Sequence, residues 1–383
     1  MQTRIFIAST IIAAALTATF AGTAIAMPRP DDAPPSPPWR AIAVPSSVRM
    51  PAALSDVSAS GMRNAWAVGA EHETSLNVGV PLILHWNGSR WSEVTVSGLT
   101  GRGNLSSVSA PSRRDVWILG TDASGTVLLH WNGSSWRRVR FPGEAVDRVT
   151  SVAAAANGQA WLAGSQPTGT GGTAVLVERW DGLAWHKVAT GIRGDYILNS
   201  IHVSRAGDVW TAGSATAGSI VAHWNKRSWA ANSVPTLTNT NDVLGVSATD
   251  IWVAGGIING QAGIYAAYIA HWNGVAWTLL NMPAGVASQD HSISPNAAGQ
   301  PQWAGAEAGL NPSSTLYAHF NGKTWSAVNG ATMLSGFFDA GEVTAHIPGT
   351  NATWAVGQAV TSGAGGIAPG QPIIELNGAR RRP

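Results

Sequence analysis

DVWILG at residues 115–120 and HWNGSSW at residues 130–136 set a pattern that the rest of the chain repeats. The first string recurs as WAVG at Trp66, WLAG at Trp161, WTAG at Trp210, WVAG at Trp252, WAG at Trp303 and WAVG at Trp354. The second recurs as HWNGSRW at His85, RWDGLAW at Arg179, HWNKRSW at His223, HWNGVAW at His271, HFNGKTW at His319 and a truncated ELNGARR at Glu375. Each motif therefore occurs seven times. The tryptophan missing from the last turn is supplied at the other end of the chain, where WRAIAVP at Trp39 matches WRRVRFP at Trp136. These positions absorb all 19 tryptophans. The period, about 48 residues, suits a four-stranded propeller blade better than a helical repeat.

A third element precedes the WAVG-type string, most clearly at Leu54–Ala59, Leu105–Ala110 and Val243–Ala248, so each period supplies four short strands. Asn-Gly and Asp-Gly tolerate positive backbone angles, and Asn87-Gly88, Asn132-Gly133, Asp181-Gly182, Asn273-Gly274 and Asn321-Gly322 mark tight hairpin turns into the outermost strand. A repeated hairpin explains the Asn-Gly-Ser strings without glycosylation. The expected fold is all-β: a seven-bladed β-propeller of four-stranded blades over residues 39–378, its last blade closed by the N-terminal strand. Tryptophan fills the widening space between radiating blades, with its indole N–H able to reach a carbonyl.

Composition narrows the function. The 383 residues carry 23 basic and 21 acidic side chains, and the excess sits in Arg4 and in Arg380, Arg381 and Arg382, so nucleic acid is not an expected partner. Zero cysteines exclude disulfides, thiolate metal sites and cysteine nucleophiles. Residues 1–26 read as a signal peptide, with Arg4, an apolar stretch and Ala24-Ile25-Ala26 before the cleavage point. Residues 27–38 form a proline-rich linker and residues 379–383 a basic tail. No later stretch approaches the ~20 apolar residues of a membrane span. A secreted, extracellular, monomeric propeller is the expectation.

HWNGSSW and DVWILG resemble the tryptophan-rich propeller repeats of secreted actinobacterial proteins, and the resemblance covers residues 39–378. The chain also resembles the seven-bladed propeller lectin subunits of umbrella toxin particles, which implies a place in a larger secreted assembly. It lacks the S-x-D-x-G-x-x-W boxes of sialidases, the calcium and quinone ligands of quinoproteins and the cysteine of galactose oxidase.

No G-x-S-x-G, H-E-x-x-H or P-loop string is present. The repeated His85, His130, His223, His271 and His319 fall in different blades and cannot converge on one ion, so neither metal nor cofactor is expected. Candidate ligand-binding residues are selected by loop position: Glu71, His72 and Glu73 in a second-to-third-strand loop, and Asp122 in its counterpart. Asp195, Tyr196, Asp290, His291, Phe338 and Asp339 lie in or near loops leading into innermost strands. Loops at residues 257–265 and Glu307 share that face. Glu71–Glu73 reads first as a solvated polar loop, with ligand contact as the alternative. These residue types suit carbohydrate, with aromatic rings on the sugar's apolar face and carboxylates or amides on its hydroxyls. A secreted protein partner docked on the same face is the alternative to lectin-like binding, and a propeller enzyme stands behind both.

Overall fold

The computed structural model describes residues 39–378 apart from 142, 145–146, 170, 205–206, 217, 236, 260–263, 284–285, 287–291, 306–313, 334–337, 340–342 and 364–365. The described elements are β-strands grouped into seven antiparallel sheets, the blades. Blade I runs from its innermost strand Ala52–Gly61 through Asn64–Ser75 and Val78–Trp86 to the outermost Trp91–Glu93. Blades II to VI repeat this order, with innermost strands Asn104–Ser112, Arg148–Ala154, Ile197–Val203, Asn239–Ser247 and Ile293–Pro295. Blade VII has its innermost strand in two pieces, Phe338–Asp339 and Val343–His346, both paired with Thr353–Gly363. Its third strand is Gly366–Asn377, and its outermost is the N-terminal strand Trp39–Ala41, with Trp39 opposite Asn377. The ends of the ring meet inside one sheet, which covers an edge that would otherwise offer unpaired N–H and C=O groups.

What holds neighbouring blades together is the first-motif tryptophan, set against the two turn aromatics of the following blade. Trp117 lies 5.3 Å from Trp180 and 5.2 Å from Trp185, edge to face, and Trp354 lies 5.0 Å from Trp86 and 5.1 Å from Trp91. Trp66 meets Trp136 edge to face at 5.2 Å and lies tilted against Trp131 at 6.2 Å. At the closure, Trp303 of blade VI meets Trp39 at 5.0 Å, and Trp39 also stacks on Tyr317 at 3.9 Å. All seven first-motif indoles are buried. The N–H groups of Trp66, Trp117, Trp210, Trp303 and Trp354, and those of Trp39, Trp91 and Trp185, have no hydrogen-bond partner, whereas Trp252 donates to Asp250, and the turn indoles of Trp86 and Trp131 reach the carbonyls of Met62 and Arg113 as the sequence suggests. The stabilisation comes from buried aromatic area and edge-to-face geometry.

The repeated histidines cover the same indoles within each blade. His130 stacks on Trp117 at 4.1 Å, and its Nε2 lies 2.8 Å from Asp115; His271 stacks on Trp252 at 3.8 Å, with Asp250 at 2.9 Å. Arg179 takes this place over Trp161 in blade III. The turns also differ in detail from the sequence reading. Asn87 to Arg90 form a four-residue loop between paired Trp86 and Trp91, in which the Asn87 side-chain oxygen accepts from the N–H groups of Ser89 and Arg90. Gly88 follows at φ +101°, and where blade IV has Lys226 instead, that residue takes φ +73°. Asparagine organises the loop and glycine allows its left-handed step.

Replacing Trp39 with alanine removes the closing indole from a site that is 2 % exposed. We expect a loss of about 3–5 kcal/mol, typical of a buried aromatic truncated to alanine. Equilibrium denaturation measures it, and a midpoint equal to that of the parent protein would show that the ring does not close through this strand.

Candidate axial binding site

The innermost strands converge on a central cavity of about 420 Å³, within the range of small-molecule sites. Its lining comes from the first half of each innermost strand. In five blades the pairing register slips there by one residue, and the bulged residue is Ser55, Ser106, Thr150, Asn199 or Asn241. A bulge releases its residue from the ladder and re-aims it. All five line the cavity. Asn77, in the turn after Asn64–Ser75, lines it too.

The residue after each bulge ties its blade to the next one. The Val108 N–H donates to Asp56 Oδ2 at 2.7 Å, that of Val152 to Ser107 Oγ at 3.2 Å and that of Ile201 to Ser151 Oγ at 3.3 Å. The Ile293 N–H donates to Asp242 Oδ2 at 2.9 Å and that of Thr344 to Ser292 Oγ at 2.8 Å. Ser200 instead gives its proton to Asp242 Oδ1 at 2.6 Å, and blade VII has Val343 at this position, with no oxygen to offer. In the blade that follows each exception stands an aspartate. Asp56 Oδ1 accepts from its own neighbour Val57 at 2.7 Å, and Asp242 Oδ1 from Val243 at 2.8 Å. A carboxylate has the second oxygen that this double duty requires.

Both acids are costly to ionise here. Burial pushes Asp56 up to about 7, against the opposing pull of the Val108 and Val57 N–H groups and with a further push from Asp242. Asp242 is raised by burial, opposed by the Ser200 hydroxyl and two backbone N–H groups. Among the described lining residues there is no lysine, arginine or histidine to neutralise them. Oε1 of Gln358, a residue only 8 % exposed, and Nδ2 of Asn241 are buried without a hydrogen-bond partner.

None of the described sequence candidates is among the residues that line this cavity. Glu71 is buried and clamps Arg49, accepting from its backbone N–H at 2.7 Å and its Nε at 2.8 Å. His72 is exposed at φ +49°. Glu73 is buried, and burial raises its carboxyl, partly offset by the Asn77 N–H. Asp122 binds Arg138 Nη1 at 2.7 Å and the N–H groups of Thr100 and Ser124; burial alone would raise its carboxyl, but Arg138 and Ser124 hold it well below the usual range. Asp195 is exposed and accepts from the Thr173 N–H at 2.9 Å, while Tyr196 packs on the core between blades III and IV. Phe338 and Asp339 form a two-residue strand, and Asp290 and His291 lie outside the described residues. The polar pairs that line the cavity were not among the sequence candidates. Aligning the repeats on Val57, Val108, Val152, Ile201 and Val243 exposes them, because Ser-Asp, Ser-Ser, Thr-Ser, Asn-Ser and Asn-Asp then fall in one column. Among the described residues, no group of three His, Asp or Glu side chains is placed to hold a metal ion.

An acid whose folded pKa is raised destabilises the fold as it ionises. Asp56 therefore erodes stability between its unfolded value near 4 and about 7, while His202, pushed down to about 4 by burial at the other end of the axis, acts oppositely. The contribution of Asp56 is isolated by difference. The unfolding free energy of the parent minus that of Asp56→Asn should fall as pH rises from 4 to 7 and level off above, read from denaturant titrations; a flat difference would contradict the buried-carboxyl assignment.

No family model matches the chain, and no curated protein matches it. Solved structures do. YCF48 bound to D1 peptide is similar with a TM-score of 0.57 at 17 % identity, covering 91 % of this chain and 99 % of that one. YCF48 from Cyanidioschyzon merolae gives 0.55 at 15 %, covering 88 % and 98 %. A catalytically inactive virginiamycin B lyase from Staphylococcus aureus with quinupristin gives 0.58 at 11 %, covering 89 % and 99 %. At these identities the likeness is one of fold.

Proposed function

We propose that the chain is a secreted, non-catalytic binding protein that recognises carbohydrate in a lectin-like way, with the axial cavity as its principal site. The observation that carries this reading is the composition of the mouth: hydroxyls, amides and two carboxylates, most of them on bulged strands. A sugar presents alternating donors and acceptors to such a surface. The first-motif indoles, at most 4 % exposed, are occupied between blades, so recognition rests on hydrogen bonds at the axis and on the surrounding loops. Export follows from the leader expected at residues 1–26. The resemblance to umbrella toxin lectins extends the proposal to a glycan-reading subunit of a larger secreted assembly.

A second reading has its own support. YCF48, similar in fold, is bound to a peptide, and the same loop face could dock a protein partner. The lyase likeness brings an enzymatic reading with it, but no residue is carried over at 11 % identity.

Ser106 separates these readings from a purely structural cavity, because it is an exposed bulge residue whose side chain makes no bond to the rest of the fold. Ser106→Trp should obstruct the mouth and abolish glycan-array binding while the thermal midpoint stays within about 2 °C, as expected for a surface substitution. Glycan binding unchanged by this substitution would move the site elsewhere. Absence of glycan binding by the folded parent, with a partner co-purifying from culture medium, would favour the protein-docking reading.

A further inference from the structure

Blade VI breaks the histidine unit that its neighbours share. In blades I, II and V the histidine Nε2 stands 2.8–2.9 Å from a side-chain oxygen of Asn64, Asp115 or Asp250, each two residues before the first-motif tryptophan. The corresponding residue of blade VI is Pro301, which offers no side-chain oxygen. The His319 ring consequently has no hydrogen-bond partner among the described residues, and it tilts 52° against Trp303, where its counterparts in blades I, II, IV and V lie within 29° of their indoles. Burial lowers the pKa of this half-buried ring, so at neutral pH it is uncharged, with one N–H to give.

His319 lines a cleft of about 1020 Å³ between blades V and VI, at the upper end of the range for small-molecule sites. Gln302 lines it too, on a bulge left between Ser294 opposite Trp303 and Pro295 opposite Pro301. Asp250 is the one acid among the described lining residues, and both its oxygens are taken: Oδ1 by Trp252 Nε1 at 2.7 Å and His271 Nε2 at 2.9 Å, Oδ2 by Gln300 Nε2 at 3.3 Å. Lys323, exposed at the tip of the turn at 321–324, has no ion-pair partner among the described residues. Phe320 presents an aromatic ring where blades I to V carry the first turn tryptophan.

Resting on the carbohydrate reading, we propose that this cleft is a second sugar site that takes a uronic acid, its carboxylate seated beside His319 in the place that Asp115 and Asp250 hold beside their own histidines. The repeat is the template. A carboxylate oxygen is what this ring meets in blades II and V, and a carboxylate carried by a ligand offers the same acceptor. Lys323 on the rim supplies the positive charge that the acid needs as it leaves water. The sugar brings an apolar ring face for Phe320 and hydroxyl donors for the Gln300 amide oxygen. An acidic peptide side chain brings the carboxylate without those hydroxyls, which favours the sugar.

The test is calorimetric titration of the folded protein with three probes: the trisaccharide of galacturonic acid, its methyl ester and a glutamate-containing tripeptide. Esterification removes the charge and keeps the hydroxyls. We expect the acid to bind at least about tenfold more tightly than the ester, the scale of one charge-assisted contact. Pro301→Asp restores the acid of the repeat beside His319 and should abolish that preference; His319→Phe, which keeps an aromatic ring and removes its N–H, should do the same. Ser106→Trp at the axial mouth should leave the preference intact, and its loss there would place the acid at the axis and overturn the cleft. Equal affinity for acid and ester would overturn the uronate inference and leave the carbohydrate reading standing. Binding of neither, by a protein that does bind glycans on an array, would also overturn this inference alone, whereas silence in both assays would count against both. A tripeptide that binds as tightly as the acid trisaccharide would overturn the choice of a sugar. The comparison among probes needs only the unmodified protein, so it holds even if a variant fails to fold.

Discussion

The insertion of one blade's indole against two aromatics of the next is the contact on which the rest of the molecule depends. Each sheet has a buried inner end and a wide outer end, and a gap that opens with radius must be filled by bulk. Tryptophan offers the largest rigid side chain, with little rotamer entropy to lose on burial. The histidine stacked on its other face and the acid or amide that holds the histidine complete one unit: Asp115, His130 and Trp117 in blade II, then Trp180 and Trp185 from blade III. Without cysteines, repetition of this unit substitutes for covalent cross-links.

A ring built this way is only as good as its last joint. Blade VII departs from the repeat: its third strand places Leu376 opposite Trp354, where other blades have histidine or arginine, and Asn377 opposite Trp39, where they have an aromatic. The missing packing is made up differently. Glu375, fully buried, accepts from the Thr315 hydroxyl at 2.8 Å and from the N–H groups of Ala331 and Thr332 at 3.0 and 2.7 Å, tying blade VII to blade VI. A buried carboxylate with three donors is well satisfied. The closure thus trades two aromatic contacts for a polar clamp plus the Trp39 stack.

The fold was legible in the sequence because the period of its tryptophans directly encodes blade number. Blade count, strand order within a blade and the N-terminal closure all follow from where indoles recur. The site was less legible because its signal is weak in any one copy. Ser55-Asp56 or Asn199-Ser200 alone reads as an ordinary polar interruption of a strand, and the bulge that turns the first residue inward depends on pairing that the string does not display. Glu71 and Asp122, chosen as loop acids, are tied down by Arg49 and Arg138 at a distance of 16 to 22 residues in sequence, a pairing that only the folded loops reveal.

The two axial aspartates illustrate how a structural need can leave a chemical opportunity behind. Five blades pass a hydrogen bond to the next through the oxygen that follows the bulge position, and a hydroxyl suffices where the preceding blade does the same. Val343 and Ser200 break that succession, so the blades after them must satisfy their own backbone N–H as well as their neighbour's. An asparagine has one acceptor oxygen and would present its amide protons to the second N–H, whereas aspartate offers two oxygens. The fold therefore selects a charged group for its bonding geometry, and the charge comes with it. Asp242 Oδ1 accepts the Ser200 hydroxyl as well as the Val243 N–H, so the same carboxylate also answers the serine that broke the succession. Serine at those two positions would leave a backbone N–H unmet and the cavity neutral. Aspartate closes the ring and, by the same atoms, gives the axis a sign that a ligand can read.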